Sequence, residues 1–209
     1  MPSGITIGSI PEHIIESISL DPFLLLDRMG SADNTLTTDR SPDKLKGNGV
    51  YTGWNGVFNT LSERTELGTG GGGQEVVAID MGQANYEILC NFYLSTEILN
   101  ADGGIMFRGV DSDNYWMFVT ITGQGWIIYK NALGFTADTT TAVVSTAGDI
   151  YALRITCIDN AIECYVNGST FANVTVAATD SGTFVGMRIH SGNDGTGGSY
   201  FDDLEVRPL

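Results

Sequence analysis

Positive charge is what this sequence has least of. Ten Lys and Arg stand against 25 Asp and Glu in 209 residues, a formal net charge of -15 at pH 7. A surface of that sign repels a phosphate backbone and an anionic bilayer, so nucleic acid is excluded as a partner. The acid excess is read as serving solubility or cation binding. Long apolar runs are missing too. No stretch reaches the roughly 18 residues of a spanning helix, and the first residues lack a basic start followed by a hydrophobic run. Neither membrane insertion nor a cleaved leader is expected, and synthesis and folding in a cytoplasm are.

Cysteine, histidine and proline are scarce. Cys90, Cys157 and Cys164 are an odd number on strand-like stretches, a poor disulfide framework, and are read as small buried hydrophobes. There is no Cys-x-x-Cys, and His13 and His190 stand alone, which excludes zinc spacing. The glycine run at 68–73 lacks the Lys-Ser/Thr ending of a phosphate cradle and is read as a hairpin tip or linker.

What the chain does have is 27 glycines, many Thr, Ser, Asn and Asp, and 42% hydrophobic residues, a composition for many short strands and tight turns. Residues 103–122 show it best. Ile105 and Phe107 alternate with Met106 and Arg108; after Asp111-Ser112-Asp113-Asn114, the run Tyr115, Met117, Val119, Ile121 alternates with Trp116, Phe118 and Thr120. Alternation on both sides of a turn cluster predicts a hairpin, one row in a core and the other, carrying Arg108 and Trp116, on a second surface. Further strands are predicted at 75–81, 86–95, 124–130, 150–158, 161–166, 183–190 and 199–206, with turns at Asp159-Asn160 and Asn167-Gly168. Strands without intervening helices predict an all-β antiparallel sandwich or barrel over residues 21–209. Residues 1–20 differ in texture, with Pro11 placed to start a helical turn, and are read as an N-terminal arm that docks on a neighbour.

The segments AIDMGQANYEI (78–88), GGIMFRGVDSDNYWMFVTI (103–121), DIYALRITCIDNAIECYVNG (149–168), GTFVGMRIH (182–190) and SYFDDLEV (199–206) resemble the concanavalin A-like lectin/glucanase jelly roll. The version they are most similar to recurs in bacteriophage capsid and tail proteins and in bacterial surface proteins. The resemblance implies a two-sheet jelly-roll sandwich with one concave face, and it does not imply a reaction. The E-x-D-x-x-E strand of the glucanases, whose paired carboxylates flank a glycosidic bond, is missing. Arg64-Thr65-Glu66-Leu67 is similar to the Arg-Thr-Glu-Leu-Arg strand of jelly-roll alginate lyases, but Gly68 replaces the last Arg and the Gln-Ile-His strand has no counterpart. The chain is therefore read as non-enzymatic, with a polysaccharide lyase as a minor alternative.

Two binding roles follow. In the first, the protein is a bacteriophage virion component, a capsid decoration or tail-associated homo-oligomer on the virion surface. It is attached to other virion proteins by burying Ile5, Ile7, Ile10, Ile14, Ile15 and Ile18. In the second it is a carbohydrate-binding receptor-recognition module for host surface glycans. Sugars stack on flat rings and bond to planar polar groups, so Trp116 with Arg108, helped by Trp54 or Tyr129, is the candidate platform. No cofactor is required. Calcium is the one metal considered, through Asp111 and Asp113 or through Asp27, Asp202 and Asp203, although Asp-Ser-Asp-Asn is also ordinary turn chemistry.

Overall fold

A computed structural model describes residues 74–96, 102–121, 125–131, 145–175, 180–190 and 199–209, with strand segments at 25–27, 35–36, 44–45, 52–55, 58–61, 64–67 and 137–138. The proposed docking residues Ile5, Ile7, Ile10, Ile14, Ile15 and Ile18, the helical turn after Pro11 and the glycine run at 68–73 lie outside the described residues. Every regular element among the described residues is a strand.

In chain order these are β1 (Leu25–Asp27), β2 (Thr35–Leu36), β3 (Lys44–Leu45), β4 (Thr52–Asn55), β5 (Phe58–Leu61) and β6 (Arg64–Leu67). Then come β7 (Gln74–Asp80), β8 (Tyr86–Tyr93), β9 (Asp102–Asp111), β10 (Asn114–Ile121), β11 (Gly125–Asn131) and β12 (Ala137–Asp138). The last are β13 (Ile150–Ile158), β14 (Ala161–Val166), β15 (Ser169–Thr175), β16 (Phe184–His190) and β17 (Tyr200–Pro208). A ten-stranded sheet has the order β15-β14-β13-β8-β17-β6-β5-β2, with β1 on β17 and β3 on β1; a seven-stranded sheet runs β12-β11-β10-β9-β16-β7-β4. The chain is thus an all-β, two-sheet antiparallel sandwich, one of the two architectures that alternation and turn spacing predict.

Local chemistry accounts for much of this. In β13, Tyr151, Leu153, Ile155 and Cys157 are buried while Ile150, Ala152, Arg154 and Ile158 are exposed, the inside-outside alternation of one sheet face. Asn167 (φ 49°) and Gly168 (φ 78°) turn β14 into β15, because both tolerate the positive φ that a two-residue hairpin needs. Asp159 (φ 48°) does the same between β13 and β14. In the core, same-sheet neighbours Phe92 and Phe201, and Phe118 and Trp126, have ring centres 4.9 Å apart, and Trp126 reaches across to the other sheet to meet Tyr151 edge-on at 5.4 Å. Each such side chain contributes about 1.5–3 kcal/mol by leaving water.

The seven-stranded sheet corrects one expectation. Trp116 pairs with Phe107 and Phe118 with Ile105, and all four belong to the inter-sheet core. On the other face, Met106, Tyr115, Met117 and Val119 join Val76 and Ala78 in a second apolar cluster, each at most 1% exposed. Both rows of the β9–β10 hairpin are therefore buried, and the row carrying Trp116 is the one that enters the main core.

Candidate functional site

The site begins with an irregularity in β9. Asn114 pairs with Asp111 but Trp116 pairs with Phe107, so Tyr115 alone faces Arg108, Gly109 and Val110. On the other side, Phe184 pairs with Gly109 and Gly186 with Met106, leaving Val185 opposite both Phe107 and Arg108. Extra residues on one strand make a β-bulge, which bends the strand and re-aims a side chain. Arg108 sits at its apex with φ 49°, a conformation that costs a non-glycine residue on the order of 1 kcal/mol or more. The Tyr86 hydroxyl accepts the Arg108 amide at 2.8 Å and holds it there. Gly182 fits against the bulge because it has no side chain: a Cβ there would stand 2.2 Å from the Gly109 carbonyl oxygen.

The bulge breaks the alternation that would put Arg108 beside Met106. Arg108 is 2% exposed and Trp116 7%, so the expected surface platform is absent. The pair does come together, but in the interior. With Asn114, Lys130, Asp180, Val110 and Tyr115 they line a cavity of about 300 Å³ at the sandwich end. A second depression of about 380 Å³, lined by Gly109, Gly182 and Phe184 among others, shares the Val110 wall.

Asp180 organises the first cavity. One carboxylate oxygen is ion-paired with the Lys130 amine, and the other accepts the Trp116 indole N–H at 3.3 Å. Its backbone carbonyl accepts Arg108 Nη1 at 3.3 Å. The Lys130 amine also stands 6.0 Å from the centre of the Trp116 ring, at the limit of cation–π reach. Among the described residues, Arg108 Nε and Nη2 are buried without a hydrogen-bond partner. Cys157 on β13 lies beside the Arg108 guanidinium and outside the cavity lining; burial pushes its thiol up to about 11, and the Arg108 charge and hydrogen bonding restrain the rise. Lys130 and Asp180 were not singled out in the sequence. Gly109, a lone glycine inside a strand pattern, was the available signal for the bulge.

The remaining candidates do not converge here. Trp54 is on β4, the sheet edge, with β7 and β16 between it and β9. Tyr129 pairs with Met117 in register, and its side chain lies outside the described residues. Asp111 is occupied by its own turn: Oδ1 accepts the Asp113 amide at 2.9 Å and Asn114 Nδ2 at 2.8 Å, which holds the carboxyl below its ordinary range. Asp202 likewise caps Asp203, which takes φ 51° at a bulge in β17. Among the described residues no three His, Cys, Asp or Glu side chains gather at one point, and the Asp27 side chain lies outside those residues. The lyase-like strand β6 belongs to the ten-stranded sheet and the strand ending in His190 to the other, so those pieces share no sheet face.

The outer face of the larger sheet carries another polar and aromatic group of residues. Arg154 Nε donates to Glu87 at 2.6 Å and its guanidinium lies 4.6 Å from the Tyr165 ring centre, while the Tyr165 hydroxyl donates to Glu163 at 2.7 Å. These groups satisfy one another, as on an ordinary solvated sheet. The cavity at Arg108 differs in having unmet donors.

No protein-family model matches the sequence, and no curated protein is significantly similar to it. Solved structures of like fold are found. The carbohydrate-binding module CBM66 from Bacillus subtilis superposes with a TM-score of 0.58 at 13% identity, over 75% of this chain and 94% of that one. A structure from work on endo-acting O-glycanases of the human gut microbiota gives 0.57 at 9% identity, over 90% and 99%. A botulinum neurotoxin type C structure, described with the two ganglioside molecules on which cell entry depends, gives 0.52 at 13%, over 85% of this chain and 48% of that one. At such identities the likeness is one of fold, a lectin-like jelly-roll sandwich.

Proposed function

We propose that the protein is a lectin-like carbohydrate-binding module that performs no chemistry on its ligand, and that the cavity between Arg108 and Lys130 is its saccharide site. The observation that carries this reading is the cavity itself, where an indole, two cationic donors and a carboxylate lie within contact of one another. Sugar sites combine these elements: an apolar wall for C–H faces and a few fixed polar groups for hydroxyls. The adjoining depression past Val110 offers room for a second sugar unit. The fold likeness to a carbohydrate-binding module supports the same role.

The test is a glycan array probed with the purified protein and with Lys130→Ala and Asp180→Asn, both chosen to leave the aromatic core in place. Binding to a defined glycan set that weakens in both variants is expected. Wild-type binding unchanged by either substitution would move the site elsewhere, and an array with no signal would remove the reading. Attachment to a virion through residues 1–20 is a separate proposal resting on the sequence alone, since none of the three structures named above is a virion protein.

A further inference from the structure

We infer that this cavity selects an acidic saccharide, and that the Arg108 guanidinium receives its carboxylate or sulfate group. The inference rests on the carbohydrate-binding reading of the site and adds the charge of the ligand.

Arg108 is a permanent cation that is 2% exposed, in a protein with 25 acidic residues to pair it with. Among the described residues no carboxylate pairs with it. Its Nη1 donates to the Asp180 carbonyl at 3.3 Å, the Cys157 thiol lies beside it, and among the described residues Nε and Nη2 have no hydrogen-bond partner of their own. The Asp180 carboxylate is committed to Lys130 and to the Trp116 indole. Asp111, on the turn next to Asn114, is committed to the Asp113 amide and the Asn114 side chain. Among the described residues the cavity lining thus holds two cations and one anion.

Burying a charge without a counter-charge is costly, and an ordered water could accept the free N–H groups but could not neutralise the cation. A guanidinium whose donors are not all met attracts a carboxylate or sulfate placed in the cavity it lines. Lys130, with 30% of its side chain exposed, lines the same cavity and adds a second cation to it. A cavity of about 300 Å³ is at the small end of ligand sites, the size for one monosaccharide unit. The net charge of -15 repels free anions at long range, so an anionic ligand would be held by these local contacts and by the sugar ring attached to it.

Calorimetric or NMR titration of the whole chain tests this with four probes: glucose, glucuronate, glucose 6-sulfate and acetate. Glucuronate or the sulfate ester is expected to bind at least about tenfold more tightly than glucose, and whichever does so identifies the anion. Arg108→Gln should remove that preference, with a thermal melt reporting whether it folds. Lys130→Gln, at a part-exposed position, reads the same preference if Arg108→Gln does not fold, and should reduce it. Glucose binding as tightly as both acidic sugars overturns the inference and leaves the carbohydrate reading standing. Acetate matching glucuronate overturns the saccharide part of both. Binding of none of the four probes overturns the inference, and with no signal on the glycan array the carbohydrate reading falls as well.

Discussion

Arg108 and Cys157 show how much one side chain's surroundings decide. Arg108 is a cation buried on β9, and Cys157 is a buried thiol on β13 beside it. The three thiols are free and buried, and burial raises each of them. Neutral thiol is therefore favoured in the fold. For Cys157 that contribution is complete below the unfolded value of 9.0 and is lost as pH rises through about 11. The melting temperature should accordingly fall between those limits, and fall less steeply in Cys157→Ala. A thiol reagent at about pH 8 should leave the native protein unmodified and label all three cysteines once it is denatured, because only exposed thiolate reacts. Rapid native labelling would contradict this burial.

At the scale of elements, the bulge in β9 is the feature that makes the site. Gly182→Ala would place a Cβ 2.2 Å from a backbone carbonyl that cannot rotate away. The expected cost is about 1–3 kcal/mol in chemical denaturation, with loss of ligand binding as the bulge and Arg108 shift. A variant as stable as the parent, and binding as well, would show that the bulge does not depend on this contact. The hairpin at Asn167-Gly168 was legible in the sequence because two adjacent residues settle a two-residue turn. The bulge was not, since its form depends on the registers that β10 and β16 impose on β9 from opposite sides. A period-2 reading carries through Phe107-Arg108 without interruption and so puts Arg108 on the wrong face. Trp116 was misplaced for a related reason: both faces of this hairpin are apolar, and alternation between two apolar rows does not say which is the core.

At the scale of the molecule, the main core draws on residues from Val77 to Val206, so the sandwich is closed by strands far apart in the chain. Removal of residues 1–20 is expected to leave its melting transition unchanged while abolishing attachment to whatever particle or partner the arm engages. Full incorporation of the truncated protein would end the docking proposal. A lowered melting temperature would mean instead that the arm supports its own domain.

By itself the sequence determined the fold class, the turns at Asp159 and Asn167 and the repulsion of anionic polymers, because each follows from local pattern or from summed charge. It also brought Arg108 and Trp116 forward together. Tertiary structure decided that they meet inside, beside Lys130 and Asp180. Asp180 is 50 residues from Lys130 and 64 from Trp116 in the chain, and no local pattern encodes that convergence. Contacts of that separation exist only once two sheets have closed over each other and a bulge has turned one arginine inward.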